Sequence, residues 1–371
     1  MNITVNAAKL RDTLAIAAKC AMSKPTMPIL GCLLLTASHK QQRLFVTSTN
    51  LDHAIRTSVS AEVDADVTVA LNASMLVAIA SKVDGETINL NVNTKSSAVK
   101  VTSASASFRL LGIPATDFPP FTPKTEGDPL VFTQAELLIR LHGASMSAST
   151  EATRYILNGV YVKCAGGTMT FVGTDGRRLH IFCGSTEAKQ TVSAILPNQA
   201  VQRLAALLKY SGSTKLWLSE RAATALVERE DGDIELGTKV VEGSYPNYQQ
   251  VIPSRTEFFT LEAAILSAAV SRVAMVTNEK SASIKLELAG DVLTLSASSP
   301  DFGEAKETVS VANPKGLAGS VALNPVLFRD AVAGSAHDKL DFSMDLMAPD
   351  VSPVFIKAGD FRAVVMPVRL S

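Results

Sequence analysis

The chain has little cysteine, no excess of either charge and no long apolar run. Four cysteines occur in 371 residues, Cys20, Cys32, Cys164 and Cys183, and no two stand as Cys-x-x-Cys. This excludes a disulfide-dense small scaffold and leaves reduced, buried thiols as the expectation. Lys plus Arg number 35 and Asp plus Glu number 35, so the formal net charge is zero. Basic and acidic tail proteins are excluded. Nucleic acid is not, because its binding depends on where charge sits rather than on the sum. No uncharged run exceeds 15 residues, as from Val67 to Ser81, and a membrane span needs about 20. Lys9 and Arg11 interrupt the opening segment before any stretch of signal-peptide character. A soluble, cytoplasmic protein without a membrane partner is expected.

Catalytic signatures are also missing. There is no Gly-Lys dipeptide, hence no Walker A loop, and no H-E-x-x-H, G-x-S-x-G or G-x-G-x-x-G. The five histidines, His39, His53, His142, His180 and His337, show no metal-ligand spacing. No metal, no cofactor and no catalytic residue is expected. The densest polar cluster is Thr174-Asp175-Gly176-Arg177-Arg178-Leu179. It reads as a hairpin with Asp-Gly at its corner, whose two arginines could instead present donors to a ligand. A three-domain enzyme with a cleft built on Asp175, Arg177 and Arg178 is the alternative from a different functional class.

What the chain does have is apolar content of 47% and internal repetition. At about 150 residues per domain its length predicts two or three domains. Phe118-Pro119, Tyr245-Pro246 and Met366-Pro367 recur, with prolines 127 and 121 residues apart. About 45 residues before each lies Leu71-Asn72-Ala73, Leu196-Pro197-Asn198 or Leu323-Asn324-Pro325, each read as a strand end entering an amphipathic helix. Asn72, Asn198 and Asn324 are candidate N-caps, and Pro325 suits a first helical position. A second helix opens each third: after Asn6, after the capping box Thr133-x-x-Glu136, and after Thr260. Hairpin signals fall at Asp84-Gly85, Gly166-Gly167, Asp231-Gly232 and Gly290-Asp291. The reading is α+β, three similar units in tandem, each with two helices on a strand-rich shell. Its boundaries are 1–124, 125–253 and 254–371.

The six helices, taken as 7–19, 73–82, 134–147, 198–209, 261–274 and 325–335, hold nine basic and four acidic residues. One surface lined by them would tolerate phosphate. It would give weak, salt-sensitive, sequence-independent contact, which suits sliding. Even repetition favours a scaffold or ring over an enzyme, where one third would diverge around a cleft.

Seven motifs together carry a family resemblance. They are Lys24-Pro-Thr-Met-Pro-Ile-Leu30, Asp117-Phe118-Pro119, Arg154-Tyr-Ile-Leu-Asn-Gly159, Thr174 to Leu179, Tyr245-Pro-Asn-Tyr248, Thr277-Asn-Glu-Lys280 and Val364 to Leu370. In this order and spacing the chain resembles, end to end, the bacterial DNA polymerase III β subunits, the sliding clamps. The resemblance implies the DNA clamp fold, a ring-shaped head-to-tail homodimer with helices lining the hole, and duplex DNA passing through. It implies a non-catalytic processivity factor. The implied partners are double-stranded DNA, the polymerase III α subunit, the clamp loader, and other polymerases and repair proteins carrying a short linear peptide of Gln-x-x-Leu-Phe type. An accessory or resistant copy of the clamp would share the ring mechanism.

By motif matching, the peptide pocket would use Arg154, Leu157, Thr174, Gly176, Arg178, Leu179, Pro246, Val251, Val364, Met366, Pro367, Val368, Arg369 and Leu370. The subunit interface would use Phe108, Met275 and Val276. DNA contacts would come from Lys24, Lys82 and Tyr155, with Arg203 added from the helix charge. Some positions depart from the family pattern. Ile156 replaces a frequent tyrosine and Arg177 a common histidine. Gln249-Gln250 replaces an arginine pair, Glu151 stands at a glutamine position, and Ser371 follows the usual terminal leucine.

Overall fold

A computed structural model describes residues 1–120, 127–209, 211–277, 283–344 and 351–368. Six α-helices are present among them: α1 Ala7–Ala17, α2 Ala73–Lys82, α3 Gln134–Ser145, α4 Asn198–Ala205, α5 Ala263–Val273 and α6 Pro325–Gly334. All six fall where periodicity placed them. The apolar stripe of α1 is buried through Leu10, Leu14 and Ala17, as its spacing of three and four residues demands.

The helix starts obey capping chemistry at three of the expected positions. Asn6 Oδ1 accepts from Lys9 N at 3.1 Å, and Asn72 Oδ1 accepts from Met75 N at 3.0 Å. Asn324 Oδ1 accepts from Val326 N and Leu327 N, with Pro325 inside the first turn. Asn198 does not cap: it is the first residue of α4, and its Oδ1 is buried without a partner. Thr260 does not cap either, because the strand Phe259–Glu262 runs on to the start of α5. In the expected capping box, Glu136 pairs with Arg140 one turn later.

The described residues form two compact units. The first comprises 1–135 and 206–240, the second 136–205 and 241–371. The first holds a 12-stranded sheet. Its main path begins at the edge strand Ala106–Leu111 and passes through Ala98–Ser103, Thr87–Asn93 and Asn2–Asn6 to His53–Val63. It continues through Ile234–Lys239, Ala222–Val227 and Ser213–Leu218 to Leu130–Thr133. Cys32–Ser38, Arg43–Thr49 and Val67–Asn72 branch from it. Helices α1 and α2 close the core over Leu33, Leu35, Leu44 and Val46.

The second unit holds an eight-stranded sheet and a four-stranded one. The larger runs Val192–Pro197, Gly159–Ala165, Thr168–Thr174, Arg178–Ser185, Phe361–Val365, Val354–Ala358, Lys339–Ser343, Phe259–Glu262. The smaller runs Gly303–Ser310, Val292–Ser299, Ile284–Ala289, Gly319–Leu323. Phe171, Phe182, Phe328, Phe342 and Phe361 are fully buried there. Each such side chain contributes roughly 1.5–3 kcal/mol by leaving water.

Three of the four hairpin signals join paired strands. Gly166 and Gly167 take φ of 58° and 73° between Gly159–Ala165 and Thr168–Thr174, the geometry a two-residue turn needs. Gly290-Asp291 and Asp231-Gly232 also link antiparallel neighbours. Asp84-Gly85 instead joins α2 to the strand Thr87–Asn93, so there the turn residues mark a helix exit. All four cysteines are free thiols, three of them buried.

Candidate functional site

The strand Arg178–Ser185 is the hub of the second unit's larger sheet. It pairs with Thr168–Thr174 on one side and with Phe361–Val365 on the other. Successive side chains alternate faces, so one face of this hub carries Leu179 and Ile181. Leu179 stands opposite Val364, and Ile181 opposite Val172. With Phe355 these residues form a separate apolar cluster. Tyr161, Cys183, Tyr245, Tyr248, Ile252 and Phe258 pack around it.

The tyrosines are ordered against one another. Tyr161 and Tyr245 stack at 4.8 Å between ring centroids and 6° between planes, and Tyr248 meets Tyr161 edge-on at 6.3 Å. Such pairs contribute about 0.5–1.5 kcal/mol beyond area. The Tyr245 hydroxyl is buried and makes no hydrogen bond of good geometry. Burial first, then nearby Tyr248, push its pKa up, and the Thr174 backbone partly offsets this. It stays neutral at any physiological pH.

The corner beside this cluster is built by Asp175. Its Oδ1 accepts from Arg177 N at 2.9 Å and Arg178 N at 3.0 Å. Thr174 Oγ1 donates to Arg178 O at 2.6 Å and accepts from Gly176 N at 3.1 Å. Gly176 has φ of 85°, where a side chain would be strained, and a Cβ there would lie 3.3 Å from Arg154 Nη1. Arg154, on the short turn Ala152–Leu157, donates to Asp175 O at 2.9 Å and pairs with Glu151 at 3.1 Å.

The sequence placed Arg178 among ligand donors, but its guanidinium is already engaged. It pairs with Asp175 at 3.2 Å and with Asp330 of α6 at 2.6 Å, and its side chain is 10% exposed. Asp175 is occupied with the same turn. The alternative of an enzyme cleft on Asp175, Arg177 and Arg178 therefore loses two of its three groups to architecture. Arg177 remains exposed, 4.0 Å from Glu151.

Other expected pocket residues lie nearer the surface. Val251 and Met366 are exposed apolar side chains. Pro246 is exposed, and Leu157, Pro367 and Val368 are half-buried. Met366 N donates to Arg177 O at 2.8 Å and Val368 N to Ala322 O at 2.9 Å, so the chain is pinned across the sheet end. Arg369 and Leu370 lie outside the described residues. Sequence reading missed Tyr161, Val172, Ile181 and Phe355. Their strands alternate in hydrophobicity, but only the pairing register puts them on one face with Leu179.

The expected interface residues occupy other places. Phe108 is 38% exposed on the edge strand Ala106–Leu111 of the first unit, where Leu111 is also exposed. Met275 is 73% exposed on the turn Ala274–Val276 after α5, and Val276 is half-buried. Of the expected DNA contacts, Lys24, Lys82 and Tyr155 are exposed and Arg203 is half-buried on α4.

The helix charge is smaller than the sequence count suggests. Lys9 pairs with Asp231, and Arg272 with Glu307. Arg11 donates to the Ala80 and Val83 carbonyls at the end of α2. Arg140 is buried against Glu136 and Asp360. Four of the nine basic residues thus serve the fold. Among the described residues no cluster of His, Cys, Asp and Glu could hold a metal, and no helix is long and apolar enough to cross a membrane.

Repeated helix-on-sheet modules with an apolar cluster at a strand junction are the architecture of the DNA clamp class. A crystal structure of the DNA polymerase III subunit beta from Pseudomonas aeruginosa superposes with a TM-score of 0.89 at 25% identity, covering all of both chains. The sliding clamp from Caulobacter crescentus gives 0.86 at 27% identity, covering all of both chains. The beta sliding clamp of Synechocystis is 29% identical over 396 aligned positions, the full length of both. Family models for the N-terminal, central and C-terminal domains of the DNA polymerase III beta subunit match residues 1–122, 133–247 and 249–369. The chain belongs to the DNA polymerase III beta subunit family. It is a sliding clamp, a non-catalytic processivity factor of DNA replication.

Proposed function

We propose that the well over Leu179, Val364 and the three tyrosines is where the clamp holds its partners. The occupant is a short extended peptide with two apolar anchors, of Gln-x-x-Leu-Phe type. One observation carries the reading: an apolar cluster lies beside exposed Val251 and Met366, at a corner whose polar groups are already mutually satisfied. Such a site offers apolar area beside donors of Arg178 that are already engaged, and methionine adapts to varied anchors. Polymerase III α subunit, clamp loader, other polymerases and repair proteins would reach it in turn.

The clamp itself works as a head-to-tail ring of two chains, each divided at 1–124, 125–253 and 254–371. Two exposed sheet edges support this. Ala106–Leu111 bears Phe108, and Gly303–Ser310 lies at the edge of the four-stranded sheet. Unpaired edges of this kind invite strand addition unless a partner covers them. Met275 and Val276 would add the apolar contact. Duplex DNA passes through, met loosely by Lys24, Lys82, Tyr155 and Arg203, and topology supplies retention. The place of action is the cytoplasm.

The test is anisotropy of a fluorescein-labelled Gln-Leu-Ser-Leu-Phe peptide on the full chain. Saturable binding lost in Leu179→Asp and Val364→Asp supports the well. Equal affinity in both variants overturns it.

A further inference from the structure

The well has a counterpart elsewhere in the chain. In the second unit one row across the sheet reads Tyr161, Val172, Ile181, Arg362 through successive paired positions. In the first unit the row Leu34, Thr47, Arg56, Glu235 has the same pairing pattern. The next row repeats the match: Thr174, Leu179, Val364 in one, Thr49, Ala54, Gly237 in the other. Phe118-Pro119 repeats Tyr245-Pro246 in sequence.

This second place is not filled in. A cavity of about 190 Å³ is lined by Leu34, Thr47, Phe45, Arg56, Phe118 and Pro119 among others. A second, of about 330 Å³, shares Phe45 and Arg56 and adds Arg43 and Arg229 together with Glu230, Asp233 and Glu235, so its charges balance, whereas Arg56 is the one charged residue lining the first. The chemistry has changed along the row. A valine has become Thr47 and an isoleucine Arg56, while Leu34 and Phe118 keep an apolar end. The Arg56 guanidinium lies over the Phe45 ring, 4.7 Å from its centroid. Among the described residues it has no carboxylate within 4.0 Å, although Glu235 is its register partner. Glu235 Oε2 is buried without a hydrogen-bond partner. Arg43 Nη2 donates to the Asp231 carbonyl at 2.9 Å and Nε to Ser58 Oγ at 3.1 Å, which fixes it beside the groove.

We propose that this groove is a second docking site of the clamp, selective for an extended acidic peptide. An apolar side chain enters between Leu34, Phe118 and Pro119. A carboxylate on the peptide takes the fork of Arg56, whose stack on Phe45 holds it planar and ready. A peptide N–H answers the unpartnered oxygen of Glu235. The idea that a peptide lies there rests on the reading of the first well, but the selectivity rests on Arg56 alone. The two sites would then sort partners by charge: uncharged apolar motifs to one, acidic motifs to the other.

The experiment is photo-crosslinking of the full-length protein, with adducts mapped by mass spectrometry. The probe is acetyl-Glu-Leu-Asp-Leu-benzoylphenylalanine amide, and its control has Gln and Asn in place of Glu and Asp. Expected are adducts near Leu34, Phe45 and Phe118 that fall at least about tenfold with the uncharged control, one charge-assisted contact being lost. They fall equally in Arg56→Gln, while adducts near Leu179 and Val364 persist. The uncharged control needs no mutation, so misfolding cannot mimic the result. Adducts only at the Leu179 well overturn the second site and leave the first intact. Groove adducts indifferent to both changes overturn acidic selectivity. Displacement of groove adducts by oligo-dT, with none by unlabelled acidic peptide, overturns the peptide in favour of nucleic acid. Adducts at neither place overturn both sites.

Discussion

Replacing Arg178 separates a scaffold role from a ligand role. Its side chain is 10% exposed and bridges Asp175, 20% exposed, and Asp330, 22% exposed. Arg178→Met keeps much of the volume and deletes the charge. Both carboxylates are then left partly buried and unpaired. Breaking a fully buried pair costs about 3–5 kcal/mol. Water reaches both aspartates here, so the expected loss is nearer ~2–3 kcal/mol. In a unit of this size each kcal/mol lowers Tm by about 2–4 °C, so a fall of roughly 4–12 °C is expected. Asp330→Asn should cost less, about 1–2 kcal/mol, since Asp175 still holds the guanidinium. The two changes should be non-additive by about 1 kcal/mol or more, because they remove one interaction. The assay is thermal melting of the single and double variants, with hydrogen exchange reporting on residues 136–205 and 241–371. If Arg178→Met melts like the parent protein yet loses peptide binding, the residue is a ligand donor and the scaffold argument fails.

Four further outcomes follow from the same geometry. His180 is fully buried and its pKa is lowered to about 4, chiefly by desolvation, although Gly143 O accepts from its ring at 2.7 Å. The unfolded chain binds that proton more readily, so stability is full above about pH 6.5 and falls as pH drops toward 4, by about 3 kcal/mol in all. Denaturant melts at pH 7 and pH 4.5 should show a gap that shrinks in His180→Phe. Gly143→Ala would place a Cβ 2.5 Å from Gly334 O and 2.5 Å from Phe182, so a drop in Tm of several degrees is expected by calorimetry. Replacing both Met275 and Val276 by Glu should yield monomers in light scattering, since an interface would bury unpaired charge. Removing residues 366–371 should abolish binding of the Gln-Leu-Ser-Leu-Phe peptide while the dimer persists.

Much of this architecture could be read from residue order because it is local. The six helices follow from apolar spacing, and Asn72 and Asn324 cap as their positions suggest. Gly166-Gly167 makes its turn for reasons contained in two residues. Capping failed at Asn198 because α4 begins on it, and the residue before the helix is Pro197, whose side chain offers no acceptor. The harder parts are long-range. Arg140 meets Asp360 across 220 positions and Arg178 meets Asp330 across 152. No local pattern distinguishes these arginines from solvated ones, so Arg140 was counted into a helix charge that looked larger than it is, and Arg178 read as a ligand donor. Leu179 and Val364 were identified as one site through motif resemblance, whereas Tyr161, Val172 and Ile181 join them only through strand register. The same register brings Arg56 to the equivalent position in the first unit, where nothing in the sequence marked it.

Retention on DNA of different topology tests the central claim most directly. The protein is loaded by a clamp loader with ATP onto nicked circular duplex, and the circle is then cut. Topological clamping predicts that it stays on the circle in moderate salt and leaves after linearisation, because Lys9, Arg11, Arg140 and Arg272 of its helices are already engaged within the fold and retention does not depend on a grip on phosphate. Equal retention on circular and linear DNA would mean that direct contact holds it, and would contradict the account.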